Sequence, residues 1–386
     1  MREHWILDPD VTFLNHGSFG ATPRAVLAVQ SALREEMERE PVRFLARELE
    51  PRLDAARAAL AEFVGATPDD IAFVPNATTG VNSVLRSLDL DEHDELLVTT
   101  HEYTASRNAL DFVGVLNGAK VVTAEVPFPI DSPDTVIERV LEKVTERTRL
   151  LLIDHITSIT ALVMPIERIV AELNARGIDT LIDGAHAPGM LSLDLRAMGV
   201  AFYAGNLHKW VSAPKGAAFL YVRPNRRYEV RPAVISHGAS AERRDRSRFH
   251  LEFDWTGTFD PTAWLSVPAA LQFFASMDGG WPEVMRRNHE LALRARDVIC
   301  DRLGMAHPAP DSMLGSMAAF PLPPATKPPT PFGDALHDEL VAAGFEVPVQ
   351  NFPCWPQRVL RVSAQLYNDF GEYERLADFV QRFCAS

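Results

Sequence analysis

Asp183 and Lys209 are the residues whose types and placing suggest the most chemistry in this chain. Each follows a short apolar run. Asp179-Thr180-Leu181-Ile182-Asp183 continues into Gly184-Ala185-His186, and Ala201-Phe202-Tyr203-Ala204-Gly205 leads through Asn206-Leu207-His208 to Lys209-Trp210. A lysine amine forms a Schiff base with an aldehyde, and a carboxylate beside a pyridine ring keeps the ring nitrogen protonated, so that the ring accepts electrons from a carbanion. An aspartate and a lysine at the carboxyl ends of two strands are what pyridoxal phosphate (PLP) chemistry needs.

Three further segments fit the same reading. Asn76-Ala77-Thr78-Thr79-Gly80 lies between a strand signal and a helix signal. Backbone N–H groups at a helix start, with two hydroxyls, make an anion cradle suited to a phosphate, although an ordinary cap and turn would look the same. His101-Glu102-Tyr103-Thr104 follows another strand, and Tyr103 is placed to stack on a pyridine face or simply to pack as a core or surface tyrosine. Arg361, in Arg361-Val362-Ser363-Ala364-Gln365-Leu366-Tyr367-Asn368, has the two parallel donors that bind a carboxylate; a plain surface arginine is the competing reading.

The elements that must position these residues alternate. Leu49, Leu53, Ala56, Leu60 and Val64 recur at helical spacing before Gly65, and helices are expected over 81–88, 134–144 and 166–176. Strands are expected at 71–75, 95–99, 120–126, 149–154, 179–183, 201–205 and 217–222. Strands separated by helices make βαβ units and a mainly parallel sheet, whose ligands gather at the carboxyl ends of the strands. The expected organisation is an N-terminal arm over 1–47, a large α/β domain over 48–263 and a smaller α+β domain over 264–386. Within the last, helices are expected at 264–277, 281–303 and 371–384, and the proline-rich 321–331 reads as a stiff surface loop.

With 386 residues there is ample core for such an architecture. No apolar run is long enough to span a membrane, and the start lacks a basic and then apolar leader. Three cysteines without CxxC spacing argue against a disulfide framework or zinc site and fit a reducing cytoplasm. The net charge of −14 disfavours nucleic acid and anionic membrane as partners. The histidines show no metal-binding spacing, and no metal is expected. Lys215 reads as a turn residue. Arg243, Arg244, Arg246 and Arg248 read as a solvated loop or subunit contact, with recognition of a substrate anion as the alternative.

The segments Leu14-Asn15-His16-Gly17-Ser18-Phe19-Gly20, Asn76–Gly80, Asp154-His155-Ile156-Thr157-Ser158-Ile159-Thr160-Ala161, Asp183–His186, His208-Lys209-Trp210, Trp255-Thr256-Gly257-Thr258-Phe259-Asp260 and Arg361–Asn368 together resemble the class V aminotransferase family of fold type I PLP enzymes. The likeness is nearest to its isopenicillin N epimerase-like branch and runs from residue 14 to residue 368. The resemblance implies that Lys209 is the Schiff-base lysine and moves the Cα proton, that Asp183 pairs with the pyridinium, and that Tyr103 stacks on the ring. It places Ala77, Thr78, Thr79 and His208 at the phosphate, and Ser158 and His186 beside the cofactor. It assigns the substrate carboxylate to Arg361, and gives Asn15, His16 and Gly17 to a loop over the substrate pocket. Thr258 would reach the phosphate of a neighbouring subunit, which implies a homodimer with shared sites.

What the resemblance implies for the substrate is an amino acid or its derivative, deprotonated at Cα. Reprotonation on the opposite face is epimerisation and needs a second acid, such as His186 or a residue of the N-terminal loop. Loss of a β-substituent is a C–S lyase reaction, and reprotonation on the cofactor is transamination. An epimerase or racemase is the first expectation and a β-lyase the second. Cysteine desulfurases differ: they have Gln at the position of His186 and Asn at that of Ser158, and their nucleophilic Cys lies well upstream of the carboxylate-binding Arg, whereas Cys354 lies close before Arg361 in Phe352-Pro353-Cys354-Trp355-Pro356. A non-catalytic protein of this fold is disfavoured because every expected cofactor position is filled.

Overall fold

Strands in this chain are apolar on both sides, and the fold follows from covering both sides. A computed structural model describes residues 1–331 and 333–385. Seven strands form the main sheet: β1 (Ile71–Val74), β2 (Glu95–Thr99), β3 (Lys120–Ala124), β4 (Thr148–Asp154), β5 (Asp179–Asp183), β6 (Phe202–Asn206) and β7 (Ala218–Val222), in the order β1-β7-β6-β5-β4-β2-β3. All pairs are parallel except those of β7, which runs against both β1 and β6. Residues alternate between two cores, as the period of two in a strand requires. Leu151, Ile153, Ile182 and Tyr203 enter one; Leu150, Leu152, Leu181 and Phe202 enter the other.

Beyond the main sheet, β8 (Met317–Leu322), β9 (Val349–Asn351) and β10 (Arg358–Ser363) make an antiparallel sheet in the order β9-β10-β8. It packs with the long helix Gly280–Leu303 and the last helix, Phe370–Ala385, around Phe320, Leu360, Tyr373 and Leu376. The N-terminal arm joins this part of the molecule, because Thr12–Phe13 pairs in parallel with Phe345–Glu346. Among the described residues no helix is long and apolar enough to cross a membrane.

Three elements differ from the sequence expectations. The helix expected at 81–88 begins at Ala77, because the Asn76 side chain caps it by accepting the Thr79 N–H at 2.8 Å. The helix expected over 264–277 is split into Thr262–Leu265 and Val267–Ala275, where Pro268 interrupts the run of backbone donors. The proline-rich stretch is not all loop: Pro321 and Leu322 belong to β8, an edge strand, where a missing backbone donor is tolerated.

The basic run at 243–248 is largely tied into the chain itself. Arg243 pairs with Glu50 and Asp245, Arg246 with Asp54 and Asp254, and Arg248 with Glu252. Lys215 donates to the Gly20 carbonyl at 2.9 Å, which pins the arm to the turn after Lys209. The same junction depends on Gly20. Its φ is +69°, and a Cβ there would stand 2.2 Å from the His208 carbonyl oxygen. Gly20→Ala is therefore expected to cost roughly 1–3 kcal/mol, the range for overpacking a well-filled site. An unchanged urea midpoint would show that the arm and the lysine turn are not in tight contact.

Candidate active site

The site lies where the strands of the main sheet end. β5 delivers Asp183 and β6 delivers Lys209 three residues past its last residue. β2 leads to Tyr103, β4 to Ser158, and β1 to the helix Ala77–Leu85. These carboxyl ends lie along one edge, so residues far apart in the chain meet there.

Asp183 is buried with two donors on it: the Ser106 hydroxyl on Oδ2 at 2.7 Å and the Ala185 N–H on Oδ1 at 3.1 Å. Burial pushes its pKa up, and the Ser106 bond, the Ala185 N–H and the charge of Lys209 oppose the shift. A carboxylate fixed by two donors suits a protonated ring nitrogen as its remaining partner.

Lys209 Nζ lies 3.1 Å from His186 Nε2. The Trp210 indole approaches the other ring nitrogen, Nδ1, at 3.4 Å. An indole N–H only donates, so Nδ1 is bare and the proton of a neutral imidazole sits on Nε2. His186 is held neutral chiefly by burial, with the nearby cations Lys209 and Arg361 adding to the effect. Its Nε2–H then points at Lys209 and needs an acceptor, which only an uncharged amine provides. The electrostatics agree: burial, and then the charge of Arg361, bring the lysine pKa down to about 7. Lys209 is thus half uncharged near neutrality, the state in which an amine attacks an aldehyde or takes a proton.

The backbone of Lys209 is held from behind. His16 is fully buried, and Nδ1 accepts the Ala21 N–H at 3.3 Å and contacts the Tyr367 hydroxyl at 2.8 Å. Its Nε2–H therefore donates to the Lys209 carbonyl at 3.0 Å. Burial lowers its pKa to about 3, so it stays neutral. Nε2 thus fixes the lysine turn, while Nδ1 ties His16 to Ala21 and Tyr367. That turn is itself strained at Ser212, a non-glycine residue with φ +57° whose N–H closes on the Lys209 carbonyl at 2.9 Å.

Arg361 enters from β10. Its Nη1 donates to the Ser158 carbonyl at 2.5 Å, and its Nη2 to Asn15 Oδ1 at 3.1 Å and Ser18 Oγ at 3.0 Å. All three partners are uncharged, and the buried Nε has none. Burial brings its pKa down to about 10, a small part being returned by the nearby Tyr103 phenol. A guanidinium buried without a counter-charge is costly, and an incoming carboxylate relieves that cost. Gly17 sits against this group: its N–H donates to Ser363 Oγ at 3.0 Å, and a Cβ would come within 2.6 Å of Met317 Sδ. Tyr103 remains 44% exposed, an open ring beside the cleft.

The phosphate cradle is narrower than the sequence suggests. The Ala77 N–H is taken by Asn206 Oδ1 at 2.8 Å, and the Thr79 N–H and hydroxyl both bond Asn76 Oδ1. Among the described residues no hydrogen bond claims the N–H or hydroxyl of Thr78. Ala77 therefore contributes by locking the helix start to the end of β6, not by offering a free donor. His208 donates Nδ1–H to the Ala217 carbonyl at 3.1 Å, which leaves Nε2 as its outward atom. Thr258 is exposed on the loop before Asp260, and among the described residues no hydrogen bond brings it to the other site residues.

Sequence reasoning missed Ser18, Ser106, Trp210, Glu102 and Asp154 as members of the site. Ser106 stands one helical turn past Tyr103, a spacing that could have suggested it. Trp210 adjoins Lys209, but its contact with His186 is visible only once the turn is folded.

A mainly parallel sheet with a smaller antiparallel sheet beside it, carrying a lysine amine, a buried aspartate and an unbalanced arginine at the strand ends, defines a fold type I PLP-dependent enzyme. The chain belongs to the aminotransferase class-V family, whose model matches residues 20–375. It is 38% identical to isopenicillin N epimerase of Amycolatopsis lactamdurans, over 98% of this chain and 96% of that one. It is 28% identical to L-cysteine desulfhydrase of Arabidopsis thaliana, over 81% and 71%. A C-DES mutant with glycine covalently linked to the PLP-cofactor superposes with a TM-score of 0.81 at 21% identity, covering 99% of both chains. The family's cofactor is pyridoxal phosphate, and the residues present fit it: an amine of lowered basicity, a two-donor aspartate, unclaimed donors at Thr78 and an exposed ring at Tyr103.

Reductive methylation of Lys209 in the cofactor-free protein, followed by peptide mass spectrometry, is expected to rise with pH through a midpoint near the lysine's lowered value of about 7. Trp210→Phe removes the indole donor, frees the tautomer of His186 and should move this midpoint upward. A wild-type midpoint at the ordinary lysine value would refute the neutral amine.

Proposed function

We propose that this protein acts at the Cα of an amino acid or amino-acid derivative, and that it is an epimerase or racemase of the isopenicillin N epimerase-like type. The observation that carries the chemistry is the pairing of a Lys209 amine of lowered pKa with a buried Arg361 that has no carboxylate of its own. The end-to-end likeness to isopenicillin N epimerase supports the choice of reaction.

Arg361, with Asn15 and Ser18 around it, receives the substrate carboxylate and fixes the direction of the Cα–H bond. Lys209 takes the Cα proton, and His186 steadies the amine through its Nε2–H. Asp183 would hold the ring nitrogen of PLP, which when bound would supply the electron sink. Thr78 would hold the phosphate at the helix start that Thr79 and Asn76 cap, with His208 beside it and Ser158 and Tyr103 beside the ring. His186 is partnered to Lys209, so a proton for the opposite face would come from elsewhere in the cleft, and the N-terminal arm reaches Arg361 through Asn15 and Ser18.

A homodimer is part of the same reading. Thr258 is exposed, and among the described residues no hydrogen bond brings it to the other site residues, as for a residue reaching a neighbour's phosphate. C–S β-elimination is the second reading, favoured by the likeness to L-cysteine desulfhydrase. The lysine, aspartate and arginine serve both reactions, and the difference lies in the fate of the side chain.

Incubation of the PLP-loaded protein with L-amino acids and cysteine conjugates in D₂O separates the two. Cα deuteration with an intact side chain and growing D-isomer, read by NMR and chiral analysis, is expected. Release of pyruvate and ammonia instead would replace the epimerase with a lyase. In either case Arg361→Gln should lower kcat/KM by roughly 30-fold or more, from the about 2–5 kcal/mol lost when one partner of a buried charge pair is removed. An unchanged kcat/KM would place the carboxylate elsewhere.

A further inference from the structure

Asp183 is not alone at the end of β5. Asp154 ends β4 and is its direct neighbour in the parallel register. Glu102 follows β2 on the next strand over. Carboxyl oxygens of Glu102, Asp154 and Asp183 all lie within 4.8 Å of one another, and all three residues are buried. Asp183 accepts the Ser106 hydroxyl on Oδ2 and the Ala185 N–H on Oδ1. Both oxygens of Glu102 and Oδ2 of Asp154 are buried without a hydrogen-bond partner.

We propose that Glu102 and Asp154 are neutral carboxylic acids whose protons leave the single negative charge of the triad on Asp183, making them positioning residues for the cofactor's ring nitrogen. Three carboxylates this close, out of water, repel one another strongly, and the charged form survives where donors and cations support it. That place is Asp183, with the Ser106 hydroxyl and the Ala185 N–H. The other titratable groups facing the triad do not alter this. Lys209 is the one cation that favours ionised Asp154 and Asp183, and its own charge is half lost near neutrality. The Tyr203 phenol is pushed to higher pKa by burial and by Asp183, and His155, bonded to that phenol at 2.9 Å, is kept neutral by burial. The backbone N–H groups of Tyr103 and Asp154 oppose the effect on Glu102 and Asp154, but burial and like charge outweigh them and push both acids well above the carboxylate range.

The purpose assigned to the triad rests on Asp183 facing the ring nitrogen. The protonation itself does not, and is read without cofactor or substrate. Carbon-13 NMR of the cofactor-free protein, labelled at the Glu or Asp side-chain carboxyl, should show one Glu and one Asp resonance that stay at the protonated position through neutral pH. Each should vanish in its own variant, Glu102→Gln or Asp154→Asn.

Unfolding provides a second reading. A group whose folded pKa is raised stays protonated in the folded protein while the unfolded chain ionises, so stability is full below the unfolded pKa and falls as pH rises toward the folded one. Between about pH 5 and 8, each amide variant should flatten this fall by close to one proton in the urea-derived slope. Carboxylate shifts for both residues at neutral pH, or slopes unchanged by both substitutions, would overturn the proposal. So would a Mg²⁺- or Ca²⁺-dependent rise in the melting temperature that Glu102→Gln abolishes, since the triad would then be a cation site. If a variant fails to fold, the wild-type spectra alone decide. PLP loaded into the amide variants should keep the pH dependence of its absorbance, whereas Asp183→Asn should shift it.

Discussion

A sheet covered on both faces has nowhere to put converging polar side chains except along the ends of its strands. Leu150 to Ile153 of β4, Leu181 and Ile182 of β5, and Phe202 and Tyr203 of β6 are all buried in the two cores. The change from apolar to acidic at Asp154 and Asp183 coincides with the point where the sheet stops and backbone donors become free. Everything the site does follows from that edge. The carboxyls are buried because the sheet is, the lysine turn is pressed against them, and the groups that hold the turn must come from another part of the chain.

That other part is the N-terminal arm with the small sheet. His16 holds the Lys209 carbonyl, Gly20 lets the arm pass within contact of the same turn, and Asn15 and Ser18 hold Arg361. The arm is thus structural support for the amine and the anion site at once. A perturbation in the first twenty residues is expected to reach both, although neither lies in that segment.

Much of this was legible in the sequence, and the boundary is physical. Apolar runs ending in Asp183 and leading to Lys209 are local patterns, and local patterns survive folding. What could not be read is where donors and acceptors from distant segments would meet. Ala77 looked like an open donor because nothing near it accounts for its N–H, yet Asn206 supplies the acceptor from a strand far along the chain. The resemblance gave His16 to a loop over the substrate pocket, and tertiary packing buries it against the Lys209 carbonyl. Glu102 and Asp154 carried no expectation of their own, because only the strand order sets them beside Asp183.

Arg361 has a consequence for anyone handling the molecule. A guanidinium sealed among a carbonyl, an amide and a hydroxyl attracts any small carboxylate that fits, whether or not it is a substrate. With Arg361 in its proposed role, acetate or formate in a buffer would compete for the place of the substrate carboxylate. An affinity measured in one of them reports an exchange of anions rather than the filling of an empty seat.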